Sequence, residues 1–174
     1  MRSVKTKKSI FKRLQHNPIV CVIILLLTVA LYYQLPVTDD KFTVRVISVI
    51  DGDTVDVLSD NQRQRIRLAY IDAPEIGQPY GQRSKQTLIA LVKNKMVNIR
   101  PLNQDNYQRT VAIIEVDSMN INREMVRLGM AWVYTHYNDD LLLLSLEAKA
   151  KVNKTGLWQQ KNPIAPWIYR QSKK

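Results

Sequence analysis

Between Phe42 and Val116 five short runs rich in Val and Ile follow one another: Phe42 to Ile50, Thr54 to Leu58, Arg63 to Ile71, Val97 to Pro101 and Arg109 to Val116. Their partial alternation of apolar and polar residues marks half-buried strands, because successive strand side chains point to opposite faces. Five strands this short within about 75 residues predict a small barrel, in which each edge finds a neighbour. In the third run Ile66, Leu68 and Tyr70 point one way while Arg63, Arg65 and Arg67 point the other. A basic face is thereby built into a strand.

Three segments carry helical spacing instead. Ser84 to Asn94 places Leu88, Leu91 and Val92 on one stripe. Ile121 to Leu128 follows Asn120 as N-cap and stops at Gly129. The third starts at Asn138-Asp139-Asp140, sets Leu141, Leu144 and Ala148 on one face, and ends at Gly156. The stripes predict core, so the fold class is α+β, mainly β: a five-stranded barrel with three α-helices.

At 174 residues the chain holds one ordinary domain and an appendage. Pro18 to Leu35 has no charge and is apolar all round, which predicts a transmembrane helix or signal anchor at the short end of the range that spans a bilayer. Six basic residues precede it and no acidic residue occurs before Asp39, so residues 1–17 are expected in the cytoplasm and the domain on the other side. A cleaved signal peptide ending near Thr28-Val29-Ala30, with secretion of the domain, competes with this, as does organellar targeting. Residues 36–40 read as a linker, 41–170 as the folded domain and 171–174 as a frayed tail. The single Cys21 excludes an intrachain disulfide and a cysteine-based zinc site.

The formal net charge is +11, and from Lys41 onward 20 basic residues face 13 acidic ones. The surplus favours a polyanionic partner, nucleic acid or acidic lipid, without choosing between them. The acidic residues are more informative. Asp51-Gly52-Asp53 sits between two strands; alone it reads equally as a hairpin turn. Asp72-Ala73-Pro74-Glu75 ends a third strand, where proline disfavours helix and holds both carboxylates on a tight loop. Carboxylates gathered at two strand ends repel one another unless a cation or protons compensate, and oxygen-rich sites suit hard cations, calcium above all where geometry is irregular. Arg67 and Arg109, the latter at a strand start after Asp105-Asn106-Tyr107-Gln108, supply two permanent charges able to clamp a phosphodiester.

The ordered motifs IDGDTV, RLAYIDAPE, YGQ before a helix, NYQR before a strand, GLW and PWIYR resemble the staphylococcal nuclease family over about Val44 to Arg170. The resemblance implies an OB-fold and a calcium-dependent nuclease acting on DNA and, in the family, RNA, with 3′-phosphate products. It implies that Asp53 and Asp72 ligate Ca2+ together with the backbone carbonyl of Ala73, supported by Asp51. Glu75 resembles the residue that activates or orients the attacking water; Arg67 and Arg109 resemble those that hold the phosphate, and Tyr107 and Tyr137 those of the nucleotide pocket. Departures from the family are Ala73 in place of threonine, Gln108 in place of the glycine before the arginine, and a short loop Ile76-Gly77-Gln78-Pro79 without lysine.

Two other readings compete: a catalytically inactive, membrane-anchored OB-fold that binds nucleic acid, and a scaffold whose basic face meets acidic lipid. The presence of Asp53, Asp72, Glu75, Arg67 and Arg109 together favours the enzyme, a phosphodiester hydrolase expected to act as a monomer.

Overall fold

The computed structural model describes residues 18–34, 41–135 and 140–173. The chain divides into two units, Met1–Asp39 and Asp40–Lys174. In the first, the described residues form one helix, α1 (Pro18–Gln34), of 17 residues. At about 1.5 Å per residue its described part spans about 26 Å. Among the described residues no helix is long and apolar enough to cross a membrane. The basic N-terminus, Leu35 and the linker expected at 36–40 lie outside the described residues.

In the second unit the strands are β1 (Phe42–Val49), β2 (Thr54–Ser59), β3 (Gln62–Leu68), β4 (Ile71–Asp72), β5 (Met96–Gln104), β6 (Thr110–Val116), β7 (Met119–Asn120) and β8 (Trp132–Val133). The order β3-β2-β1-β5-β6 closes into a five-stranded barrel because β3 also pairs, in parallel, with β6. Irregular registers between Val46 and Ser48 in β1 and between Pro101 and Asn103 in β5 supply the bends that closure needs. Val55, Val57, Ile66, Leu68, Val97, Ile99, Ala112 and Ile114 fill the interior and are at most 1% exposed. Each Val, Leu or Ile among them contributes on the order of 2 kcal/mol by leaving water.

The third run departs from the sequence expectation of one strand from Arg63 to Ile71. Tyr70 takes a left-handed conformation, φ 66°, so the chain turns after Leu68 and Ile71–Asp72 leaves the barrel to pair with β8. Ile66 and Leu68 are buried as expected, whereas Tyr70 only packs against the margin of the core.

The helices are α2 (Gly81–Val92), α3 (Ile121–Arg127), α4 (Leu141–Val152) and α5 (Pro166–Gln171), with a 3-10 turn at Gly156–Gln159. Asn120 and Asp140 cap α3 and α4 through their side chains. The buried face of α4 is Leu143, Glu147 and Ala150, with Leu141 79% exposed; this corrects the expected stripe of Leu141, Leu144 and Ala148. Four successive leucines leave the phase open, and Glu147 sets it by accepting the Val133 amide at 2.9 Å. The α5 helix is a fourth beyond the three expected, and it contains Gln171, the first residue of the expected frayed tail. Pro166 at its first turn fixes the entry, and Trp167 holds it down on Trp132 with ring centroids 5.7 Å apart.

Candidate active site

The turn Asp51-Gly52-Asp53 delivers the first carboxylate. Asp51 Oδ1 accepts the Asp53 amide at 3.0 Å, which closes the turn on itself. A Cβ on Gly52 would lie 1.9 Å from Ser84 Oγ and 2.7 Å from Ala73 Cβ, so only glycine lets the turn press against α2 and the 72–75 loop. Leu68 N donates to the Asp53 carbonyl at 2.8 Å and Thr54 pairs with Arg67, so the start of β2 meets the end of β3. Asp53 is thereby 4% exposed. Its Oδ2 accepts the Ala73 amide at 2.5 Å and its Oδ1 accepts the Thr54 hydroxyl at 3.1 Å.

The second carboxylate arrives on β4. The left-handed Tyr70 aims Ile71–Asp72 at β8, where Asp72 pairs with Trp132 and is 2% exposed. The loop after it is a compact turn: Gln78 N donates to the Glu75 carbonyl at 2.8 Å, and Gly81 N to the Gln78 carbonyl at 2.9 Å. Gly81 approaches so closely that a Cβ there would lie 1.8 Å from the Glu75 carbonyl oxygen. Glu75 is held at the rim, its side chain 39% exposed.

Arg67 projects from the end of β3 between the two aspartates. Its Nη2 donates to Asp72 Oδ1 at 3.0 Å, and its Nη1 lies 2.5 Å from Asp53 Oδ1 without the alignment of a hydrogen bond. Burial pushes the Asp53 carboxyl up to about 7; Arg67 opposes that rise, while Asp51 and Asp72 add to it. Arg67 thus does not offset the cost of burying the Asp53 charge.

Arg109 follows a separate logic. Asp105 accepts the Tyr107 and Arg109 amides at 2.9 and 3.0 Å and the Arg109 Nε at 2.7 Å. Gln108 sits at φ 61°, a left-handed backbone that a residue other than glycine adopts at a cost of order 1 kcal/mol. The Arg109 guanidinium lies 5.4 Å from the centre of the Tyr107 ring, itself 81% exposed. Arg67, Asp72, Tyr107, Arg109, Tyr134 and Arg170 line one cleft of roughly 550 Å³. Asp53, Asp72 and Arg67 are thus in direct contact, Arg109 and Tyr107 stand across the same cleft, and Tyr137 lies outside the described residues. Trp132 and Tyr134 pack edge-on against Trp167.

Sequence reasoning missed Arg170. Its Nη2 donates to Asp72 Oδ2 at 2.7 Å, and its Nη1 to Asp72 Oδ1 at 3.2 Å and to Glu75 Oε1 at 2.7 Å. The hydrogen bond to Asp72 is the main reason its pKa rises above the ordinary arginine value. The available signal was PWIYR itself, an arginine closing an aromatic segment behind two prolines. Chemically, the cleft sets Asp72 beside guanidiniums able to neutralise a phosphodiester, while Asp53 and Glu75 do not line it and meet it through Arg67 and Arg170.

A model of the family described as staphylococcal nuclease homologue matches residues 65–160. A Haemophilus influenzae protein named "Uncharacterized endonuclease" is 43% identical over 136 residues, covering 78% of this chain and 76% of that protein. One of the same name from Escherichia coli O157:H7 is 43% identical over 130 residues, 74% of this chain and 85% of that protein. A Shigella flexneri protein named "Micrococcal nuclease" is 36% identical over 157 residues, 84% of this chain and 90% of that protein. With the closed barrel and the carboxylate and arginine cleft in place, these likenesses establish that the chain belongs to the staphylococcal nuclease homologue family and is a nuclease, a phosphodiester hydrolase.

Proposed function

We propose that the chain is a calcium-dependent nuclease that cleaves DNA, and RNA as a further substrate, by attack of water on the phosphodiester, leaving 3′-phosphate ends. The observation that carries this is the pairing of buried Asp53 and Asp72 with Arg67, in which Arg67 and Asp72 line a cleft together with Arg109. Among the described residues no three His, Cys, Asp or Glu side chains gather closely enough to hold a metal by themselves. The donor set nevertheless fits a hard cation: two buried carboxylates, one of them short of positive charge, to be completed by the Ala73 main-chain carbonyl and water, with Asp51 behind. When bound, calcium supplies charge that the developing phosphorane oxygens need.

The chain's own residues do the rest in this reading. Arg67 and Arg109 grip the phosphate, and as permanently charged planar donors they favour the more negative transition state over the ground state. Glu75, at the rim with a free face toward solvent, orients the water and takes its proton. Tyr107 and Tyr137 offer ring faces to the nucleotide, an interaction indifferent to base identity. The test is cleavage of end-labelled single-stranded DNA by the purified chain, with calcium and then with excess chelator. Calcium-dependent products bearing 3′-phosphates are expected; tight binding without cleavage in calcium, magnesium or manganese transfers the chain to the binding-module reading.

We propose also that the apolar N-terminal segment attaches the nuclease to a membrane, with the domain on the side opposite the basic N-terminus. Supporting this are the uncharged α1 and the exposure of Ile19 and of Val22 through Leu27. Alkaline carbonate extraction decides: retention in the pellet is expected, and full release leaves the secreted alternative.

A further inference from the structure

Glu75 has a single side-chain partner for its carboxylate among the described residues, and that partner is Arg170, 95 positions further along the chain. Arg170 is in turn held by Asp72 in a two-pronged contact. The guanidinium thus joins a buried aspartate to the glutamate at the rim. Its approach is prepared by other contacts between the same two segments. Gln78 Nε2 donates to the Ile164 carbonyl at 2.5 Å, and Tyr169 Oη to the Gly77 carbonyl at 2.9 Å. Trp167 stacks edge-on against Trp132, the residue that pairs with Asp72 in the small sheet. Tyr169 and Arg170 therefore latch α5 to the loop that carries Glu75, Ile164 ties the segment before the helix to the same loop, Trp167 anchors the helix on β8, and Arg170 is the point that reaches the carboxylates.

A glutamate on a long side chain, 39% exposed, has many rotamers open to it, and orienting a water demands one of them. A planar fork fixed at Asp72 restricts that choice far more than a lysine on the same helix would. We propose that Arg170 is a positioning residue of this nuclease: it acts through Glu75, holding the carboxylate in the rotamer that orients the attacking water. The inference rests on the role given to Glu75 above.

The test is a double-mutant cycle on the full chain, with Arg170→Met and Arg170→Lys each made alone and with Glu75→Gln. Turnover, KM, metal-free binding of a single-stranded oligonucleotide and melting temperature are measured for each. Arg170→Met is expected to lower kcat by about 30-fold while oligonucleotide binding stays within about threefold, with Arg170→Lys recovering part of the loss. In the Glu75→Gln background the same replacement is expected to cost less than about twofold, because its target has already been removed. The proposal is overturned by wild-type turnover in Arg170→Met, by an equal loss in both backgrounds, or by a loss carried wholly in binding. Collapse of the fold in both Arg170 variants overturns it too, since it makes the residue a structural tie. Failure of the parent reading looks different: either the wild-type chain does not cleave, or Glu75→Gln cleaves normally.

Discussion

Asp53 and Asp56 lie three residues apart at the start of β2, both almost wholly buried, yet their carboxyls are driven in opposite directions. Asp56 is held down at about 2, chiefly by hydrogen bonds from Arg65 and also from Arg63 and Ser48. Asp53 is pushed up to about 7, chiefly by burial. Both have arginine neighbours drawn from the same face of β3, so the difference is one of ratio. At Asp56 two guanidiniums serve one carboxylate; Arg65 Nε lies 2.9 Å away and Arg63 in closer contact still. Around Asp53, Arg67 is shared with Asp72, which Arg170 also holds together with Glu75, and Asp51 adds a further negative charge, so four carboxylates meet two guanidiniums. The first cluster is electrostatically complete and ties two strands together. The second is incomplete, and the missing positive charge is what a cation and a well-placed phosphate clamp are suited to supply.

The contrast is broken most forcefully on the arginines. Arg67→Ala is expected to lower turnover by about three orders of magnitude, in line with the loss of a charged transition-state donor, whereas Arg65→Ala, two residues away on the same face, stays within about threefold. Comparable losses in both, measured on one labelled substrate, remove the distinction between a working cluster and a structural one.

Next in size is Asp56→Asn, expected to cost about 2 kcal/mol of unfolding free energy at pH 7. A folded-state pKa below the ordinary value gives stability that is present above about 4 and lost as pH falls toward 2, so in urea titrations the penalty should shrink below pH 4. Opposite in sign is Asp53→Asn in the metal-free chain. A folded-state pKa above the ordinary value is linked to stability that is present below about 4 and lost as pH rises through about 7. The asparagine keeps an acceptor for the Ala73 amide and sheds the charge, so it should match the wild type near pH 4 and exceed it increasingly as pH rises toward 7. A uniform destabilisation by Asp53→Asn across this range contradicts the charge deficit.

Much of the barrel was legible because strand alternation is local: the five runs fall within a few residues of β1, β2, β3, β5 and β6. The carboxylates were legible for a similar reason, as Asp-Gly-Asp and Asp-Ala-Pro-Glu are short and placed at strand ends. What escaped is non-local or without period. The break at Tyr70 needs a left-handed residue that no glycine announces. The phase of α4 depends on Glu147 finding the Val133 amide, which four leucines in a row do not reveal. Asn122, which accepts the Ile114 amide and donates to the Ala69 and Ala112 carbonyls, looks in sequence like any polar helix residue. Arg170 finds Asp72 across 98 positions through a helix too short to show a stripe.

That last separation bears on how heat should silence the enzyme. Asp53 and Arg67 lie at the ends of barrel strands and Asp72 sits in the small sheet beside them, all within 20 residues, so they are expected to share the free energy of global unfolding. Arg170 stands on a six-residue helix, whose release needs only the latch contacts to open, a local event of much lower cost. On the positioning role proposed for Arg170, warming would disengage Glu75 while the barrel is still intact. Inactivation would then begin below the melting temperature and reverse fully on cooling, a thermal dimmer set by one helix turn and a half.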